Sequence, residues 1–346
     1  MSVNDYDAIL IVSFGGPEAP EEVVPFLENV TRGRGIPKER LEQVGAHYHL
    51  FGGKSPINDQ CRDLIAALEA ELPNHGIDLP VYWGNRNWAP MLTDAMQQMA
   101  DDGIQKAIAF VTSATSSYSG CHQYREDIER ARTEVGNSAP EVHKIRQYYD
   151  HPGFIDPMVD NVVTALETLG EQADKARLVF TAHSIPISMS STSDYEEQLR
   201  EASRLVAERA GRTVAQRSDF DLVWQSRSGP PQVPWLEPDI NDHLEALSDD
   251  GESAVVVIPI GFISDHMEVM YDLDTEAIAT AERLSLGFAR AGTVGTDHRF
   301  ITAIIQLIEE RRSDGEVLAL GDLDVRPDFC APGCCPAPQR PSRPTT

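Results

Sequence analysis

What this chain lacks narrows its function first. Basic residues are scarce: 29 Lys+Arg stand against 55 Asp+Glu, for a formal net charge of −26. So acidic a surface repels a phosphate polyanion, which argues against nucleic-acid binding, and it disfavours anionic membrane surfaces equally. A cationic partner such as a metal ion is compatible with it, and so is a plain solvated acidic surface. Only five of the basic residues are Lys, which speaks of a GC-rich genome and not of function. No apolar run reaches the roughly 18 residues that a membrane span needs. The longest, from Ala254 to Ile263, contains Pro259 and Gly261. The N-terminus (Met1, Ser2, Val3, Asn4, Asp5) has neither a basic n-region nor an apolar h-region, so no secretory signal is read and a cytoplasmic location is expected. Cysteine is sparse and odd in number, which makes a disulfide framework an unfavoured reading.

What is present is the composition of a globular protein. The 346 residues are 41% apolar, too many for wholesale disorder, and the length suggests about two domains with cores of their own. Short apolar runs alternate with helical periods. Ala8 to Phe14, Val81 to Asn85, Lys106 to Thr112 and His143 to Tyr148 read as strands in the first half. Ala176 to Ala182, Asp221 to Gln225, Ala254 to Ile260 and Ser285 to Ala289 follow in the second. Between them lie helices at Pro20–Asn29, Asp59–Leu72, Pro90–Asp101, Tyr124–Val135, Pro157–Leu169, Tyr195–Arg209 and Ile240–Leu247, then an acidic helix from Asp265 and a last one from Asp297 to Arg312. Such alternation implies parallel sheets covered on both faces. The expected fold is α/β, with two similar doubly wound, Rossmann-like domains of about four parallel strands each. The domains are read as 1–150 and 151–312, with the last helix free to return to the first domain. A Cys-containing extension over 313–335 and a Pro-rich disordered tail over 336–346 complete the chain.

In doubly wound sheets, sites gather at the carboxyl ends of strands. Four places qualify. His183, in the run Thr181-Ala182-His183-Ser184-Ile185-Pro186, follows an apolar strand, and imidazole suits proton transfer or metal binding near neutral pH. After the strand ending at Ile260, the run Gly261 to Glu268 opens a helix on which Glu268, Asp272 and Glu276 are spaced by four. They share one face, as a solvated acidic row or as a track of hard oxygen ligands for a divalent cation. Val111 to Gln123 is a loop of small residues carrying Cys121. Asp221 to Pro238 is stiff with Pro and holds two Trp, either as packed surface or as the wall of a flat apolar ligand site. Cys330, Cys334 and Cys335 crowd near the C-terminus, a pattern that points to metal or iron–sulfur ligation with a distant fourth ligand.

These motifs together carry a resemblance. His183 in TAHSIP, the Trp224–Pro238 loop WQSRSGPPQVPWLEP, Ser264–Asp274 reading SDHMEVMYDLD, the Gly15-Gly16-Pro17-Glu18 turn and the Gly52-Gly53-Lys54-Ser55-Pro56 loop resemble ferrochelatase, in the same order, over residues 6 to 335. The resemblance implies two α/β domains around a tetrapyrrole cleft, insertion of Fe²⁺ into a porphyrin, and no nucleotide or other organic cofactor. It implies that His183 and Glu268 face one another across the bound macrocycle, sharing proton removal and iron delivery, that Asp272 and Glu276 extend the iron route, and that this helix contains a wide π-type turn. The general form, with Arg32-Gly33-Arg34 ahead of the Gly-Gly-Lys-Ser loop, resembles the Gram-positive members that metallate coproporphyrin III; protoporphyrin IX is the alternative. Ser55 and Tyr124 match porphyrin-contact positions, Phe14 is placed against the ring, and Arg86 reads either as a propionate partner or as a structural surface Arg. Phe14 replaces a Tyr of many relatives, which excludes an axial phenol oxygen there, and His47 replaces an Arg near a propionate. The resemblance further implies a [2Fe–2S] cluster on Cys121, Cys330, Cys334 and Cys335, against zinc or four free thiols, although the Cys-x3-Cys-Cys spacing departs from the mitochondrial pattern. Cys61 is expected to be a core thiol. A monomer is expected, with transient contact to a coproheme decarboxylase. A non-catalytic tetrapyrrole carrier is the reading from another class, and it predicts loss of His183 or Glu268, both of which are present.

Overall fold

Two parallel sheets organise the chain in the computed structural model, which describes residues 5–33, 35–213, 219–313, 315–331 and 333–338. Arg34 and most of the expected tail, 339–346, lie outside them. In the first half the elements run β1 (Ala8–Ser13), α1 (Val23–Val30), α2 (Lys38–Leu50), α3 (Ile57–Glu71), β2 (Val81–Asn85), α4 (Leu92–Asp101), β3 (Lys106–Val111), α5 (Gln123–Val135) and β4 (Glu141–Lys144). The second half runs α6 (Pro152–Thr168), β5 (Arg177–His183), α7 (Ile187–Ser190), α8 (Tyr195–Thr213), β6 (Phe220–Gln225), α9 (Ile240–Asp249), β7 (Ala254–Ile258), α10 (Met267–Tyr271), α11 (Ile278–Leu284), β8 (Gly287–Arg290) and α12 (His298–Ser313). The sheets have the orders β2-β1-β3-β4 and β6-β5-β7-β8, every pair parallel. This is the α/β, twice doubly wound architecture expected from the alternation. Strands covered on both faces have no polar side to show, which is why β1 (AILIVS) and β7 (AVVVI) are buried throughout.

The two halves share a core. Phe300 and Ile304 of α12 are buried in one cluster with Ile9 and Phe110 of the first sheet, Phe154 of α6 and Phe180 of the second sheet. The Phe300 ring lies 6.2 Å from Phe110 and 5.9 Å from Tyr148. The last helix therefore does return to the first half, bridging both sheets through apolar burial worth about 1.5–3 kcal/mol for each such side chain.

Three boundaries differ from the sequence reading. Helix α2 was not anticipated, because only Leu41 and Gly45 of its residues are buried and its apolar periodicity is correspondingly weak. The fourth strand was expected over 143–148 but pairs with β3 only from Glu141 to Lys144. The apolar signal of Ile145, Tyr148 and Tyr149 comes instead from burial after the chain leaves the sheet. Helix α6 starts at Pro152, not Pro157: His151 Nδ1 accepts from the Gly153 N–H at 3.1 Å, and Pro152 fits the first turn, where its missing N–H costs nothing. No helix among the described residues is long and apolar enough to cross a membrane.

Candidate active site

Each sheet reverses its strand order between its two inner strands, β1 and β3 or β5 and β7, and there the carboxyl ends leave a crevice. His183 is the last residue of β5, paired in register with Gln225 at the end of β6. Its Nδ1 lies 2.5 Å from the Ser184 carbonyl. A carbonyl only accepts, so Nδ1 is the donor and Nε2 is the basic atom left facing the crevice. Tyr195 donates to the His183 carbonyl at 2.9 Å and fixes the backbone behind the ring.

Glu268 comes from the other side of the switch point. After β7 the chain turns at Gly261, where a Cβ would stand 2.5 Å from Ala182 Cβ, so only glycine lets the loop pass this close to β5. His266 caps α10 by accepting from the Glu268 N–H at 3.2 Å. Glu268 Oε1 then lies 3.7 Å from His183 Nε2, with the two side chains 47% and 30% exposed. Desolvation opposes charge on both, yet each favours the charged form of the other. Burial alone would raise Glu268, but His183, with a smaller share from His266, carries it down to about 2. Burial alone would lower His183, but Glu268, the Ser184 carbonyl and Asp272 outweigh it and raise its pKa.

The 3.7 Å spacing corrects one expectation. A flat ring between two side chains needs an optimal carbon contact on each face, about 7 Å in all. In this structure His183 and Glu268 are direct neighbours, with no room for a macrocycle between them.

The helix beyond Glu268 widens into a π turn over Asp272–Ala277 before α11. Four-residue spacing drifts around a 3.6-residue helix, and the wider turn takes back that drift, so Glu276 stays on the same side as Glu268 and Asp272. Glu276 is exposed and Asp272 half-buried. Burial, aided by Glu268 and Glu276, pushes Asp272 up to about 7 against the Ser226 hydroxyl. Arg290 of β8 clamps this segment at two points, with its Nη1 3.1 Å from both Asp265 oxygens and its Nε and Nη2 at 2.6 and 2.9 Å from Asp274. Gln225, the last residue of β6, and Ser226 directly after it also grip it. The strand-end rule had marked their loop, but neither was singled out in the sequence.

The first half supplies the facing surface. Phe14, at the end of β1, is 37% exposed with its ring 6.3 Å from Phe26. Ser55 is buried beneath the Gly-Gly-Pro turn: its N–H donates to the Pro17 carbonyl at 2.8 Å, and a Cβ on Gly16 would meet Ser55 Cβ at 2.7 Å. Arg86 is buried. Its Nε donates to Asp127 at 2.5 Å, its Nη1 to the Ser119 carbonyl at 3.1 Å, and its guanidinium lies 3.5 Å over the Tyr124 ring, so Tyr124 is buried under it. Nη2 of Arg86 is buried without a partner. Arg32 and Trp88 line a surface groove of about 460 Å³ with Pro25, Glu28, Asn29 and Met91. The halves touch around the crevice. His47 of α2 stacks on Tyr271 with centroids 3.8 Å apart and planes 12° from parallel, and Gln60 Nε2 donates to the Asp265 carbonyl at 3.0 Å. Cys61 is buried on α3, as expected.

The extension after α12 brings its cysteines to the first half. Asp328 accepts from the Arg146 N–H at 2.9 Å and from Arg311 at 3.1 Å, and Phe329 lies under the Arg311 guanidinium. Cys121, buried in a π turn at Tyr118–His122, accepts from Gln147 Nε2 at 2.8 Å. The Cys334 and Cys335 sulfurs are 3.5 Å apart, and His122 Nδ1 donates to the Cys334 carbonyl at 2.8 Å. The hydrogen bond with Cys121, against burial, brings the Cys330 thiol down to about 7, and burial together with Cys334 pushes Cys335 up to about 12. The four thiols are thus linked in sequence by pairwise contacts, Cys121 to Cys330, Cys330 to Cys334 and Cys334 to Cys335. Among the described residues, no group of three or more His, Cys, Asp or Glu side chains is already arranged around a metal position.

Comparison with known proteins bears on this arrangement. A structure of SirB from Bacillus subtilis with Fe³⁺ superposes with a TM-score of 0.54 over 90% of this chain and 97% of that one, at 12% identity, a likeness of fold alone. Curated relatives are much nearer in sequence. A protein of Nocardia farcinica named coproporphyrin III ferrochelatase is 54% identical over 96% of this chain and 97% of its own length. One of Mycolicibacterium smegmatis with the same name is 53% identical over 95% and 99%. A Rhodopirellula baltica protein named ferrochelatase is 50% identical over 97% and 95%. The ferrochelatase family profile matches residues 6–312, so the crevice holding His183 and Glu268 lies wholly within the matched region and the chain belongs to the ferrochelatase family.

Proposed function

We propose that this ferrochelatase inserts Fe²⁺ into coproporphyrin III to give coproheme and two protons. The observation that carries the chemistry is the His183–Glu268 pair, held at 3.7 Å at the end of β5. The names of the actinobacterial relatives support the choice of porphyrin. The two pyrrole protons must leave as iron enters. With Nδ1 committed to the Ser184 carbonyl, His183 Nε2 is the atom that takes a proton, and Glu268 stabilises the imidazolium so formed. Fe²⁺, the other substrate, sheds water onto hard oxygens, and Asp272 and Glu276 lead it to Glu268. Phe14 gives the flat ring an apolar contact without offering the iron an oxygen. Ser55 and Tyr124 are assigned to the porphyrin by the family resemblance, both being buried here, and the unpartnered Nη2 of Arg86 is the donor assigned to a propionate. Binding bends the macrocycle and exposes a nitrogen lone pair to the metal.

Cys121, Cys330, Cys334 and Cys335 would hold a [2Fe–2S] cluster, four thiolates being its usual complement. When bound, such a cluster ties the extension to the body, because metal ligation couples to folding. We further read residues 1–150 and 151–312 as the two domains, and the protein as a cytoplasmic monomer that hands its product to a coproheme decarboxylase.

The test is anaerobic Fe²⁺ insertion, followed spectrally, with coproporphyrin III and protoporphyrin IX offered in parallel. Strong preference for coproporphyrin III is expected. Preference for protoporphyrin IX would keep the chelatase and overturn the substrate, while turnover of neither would revive a tetrapyrrole carrier.

A further inference from the structure

Strand β6 ends at Gln225, which reaches the backbone beside His183, the backbone of Glu268 and the side chain of Asp272. Its carbonyl accepts from the Ser184 N–H at 2.7 Å, and Ser184 in turn fixes Nδ1 of His183. Its side-chain Nε2 donates to the Glu268 carbonyl at 3.1 Å and approaches Asp272 Oδ2 at 3.4 Å, while its Oε1 is buried without a partner. Ser226 follows with φ at 62°, a left-handed conformation that residues other than Gly, Asn and Asp adopt rarely. Such strained backbone concentrates at functional sites. Here it turns the chain so that the Ser226 hydroxyl donates to Asp272 Oδ2.

Asp272 opens the π turn and is only half-buried, so the helix alone does not settle where its carboxylate points. Both bonds from the β6 end fall on Oδ2. Oδ1 takes neither of these bonds, and Asp272 shares a helix face with Glu268 and Glu276. We propose that Ser226 is a positioning residue for iron delivery: its hydroxyl, aimed by the left-handed turn after β6, holds Asp272 so that Oδ1 is presented to Fe²⁺ on its way to Glu268. This rests on Asp272 belonging to the iron route.

The experiment is the Fe²⁺ dependence of metallation at saturating coproporphyrin III, with the KM for porphyrin measured alongside, in S226A, S226G, S226N and D272N. S226G removes the hydroxyl while easing the backbone, so it separates the bond from the turn. S226N tolerates the left-handed conformation and returns a donor. S226A and S226G are expected to raise the KM for Fe²⁺ on the order of tenfold, as loss of a hydrogen bond to a charged group does, with the KM for porphyrin held within about twofold. S226N is expected to restore most of the loss. Co²⁺ titration of the porphyrin-free protein, read by its visible absorption, should rank the variants in the same order without turnover. A wild-type KM for Fe²⁺ in S226G, failure of S226N to restore, or a joint rise of both KM values would overturn the role of Ser226. An unchanged KM for Fe²⁺ in D272N would instead overturn the iron route itself.

Discussion

Arg146 and Glu310 meet in a two-point ion pair, Nε to Oε1 at 2.8 Å and Nη2 to Oε2 at 3.1 Å, where the last helix lies against the segment leaving the first sheet. The Arg146 side chain is 3% exposed, so little water reaches it. Its remaining hydrogen bonds go to the carbonyls of Gln147 and Leu318. Truncating Glu310 therefore removes the two-point partner of a buried guanidinium and leaves it only the more distant Asp150 carboxylate, at 3.9 Å. Glu310→Leu is expected to cost about 3 kcal/mol of stability, measured by denaturant unfolding, and Arg146→Met in the same chain to recover most of it. A loss under about 1 kcal/mol would place the pair among solvent-screened contacts.

His151, five residues on, gives the fold an acid sensitivity. It is 1% exposed, its Nδ1 caps α6 as an acceptor, and burial, reinforced by Arg146, lowers its pKa to about 4. The unfolded chain takes up the proton near pH 6.5 and the folded one only near 4. Between those values the unfolded state binds more protons, so stability is full above about pH 6.5 and lost as pH falls toward 4, by about 3 kcal/mol. His151→Asn keeps a capping oxygen and cannot titrate. Its melting temperature should fall less than that of the wild type between pH 7 and pH 4.5, and parallel curves would remove His151 as the cause.

Much of this was legible in the residues. Short apolar runs such as AILIVS and AVVVI, rich in β-branched residues and bounded by turns, read as strands covered on both faces, and their alternation with helical periods implies the two parallel sheets. Positions at strand ends marked His183 and the Ser264–Glu268 run. What stayed hidden depends on contacts between distant segments. Helix α2 buries too little to show a period, and the stack of His47 on Tyr271 joins residues more than two hundred positions apart. Arg86 stays open in the sequence between a propionate partner and a surface Arg, because nothing local announces Asp127 and Tyr124 as its partners. The close approach of His183 and Glu268 follows from the loop passing Gly261, a tertiary distance that spacing does not encode.

The shared charge of His183 and Glu268 is expected to be indispensable. His183→Ala removes the proton acceptor, and Glu268→Gln keeps the shape while deleting the charge that raises the His183 pKa. Each should lower kcat for metallation by about a hundredfold to ten-thousandfold, the range for a positioned acid–base group. Both side chains border the open crevice, so melting temperatures should stay close to that of the wild type. Retained turnover in His183→Ala would sink the assignment of Nε2 as the proton acceptor.

The extension offers the last test, because side-chain and backbone contacts already hold it and a cysteine centre is proposed as a second anchor. Asp328 and Phe329 bind the body through Arg146 and Arg311, Leu320 N–H donates to the Asp150 carbonyl at 2.9 Å, and Arg326 pairs with Asp194. None of these needs a metal. The cysteines form a second anchor only if they share a centre. Cys334→Ser should therefore abolish the visible absorption and bound iron expected of a [2Fe–2S] protein, and leave the Asp328 anchor in place. A purified variant with the wild-type spectrum would show that Cys334 is not a ligand. If the wild type itself binds zinc and has no visible absorption, the cluster gives way to a tetrahedral zinc site on the same four thiols, and Cys334→Ser should then lower zinc content with no change in colour.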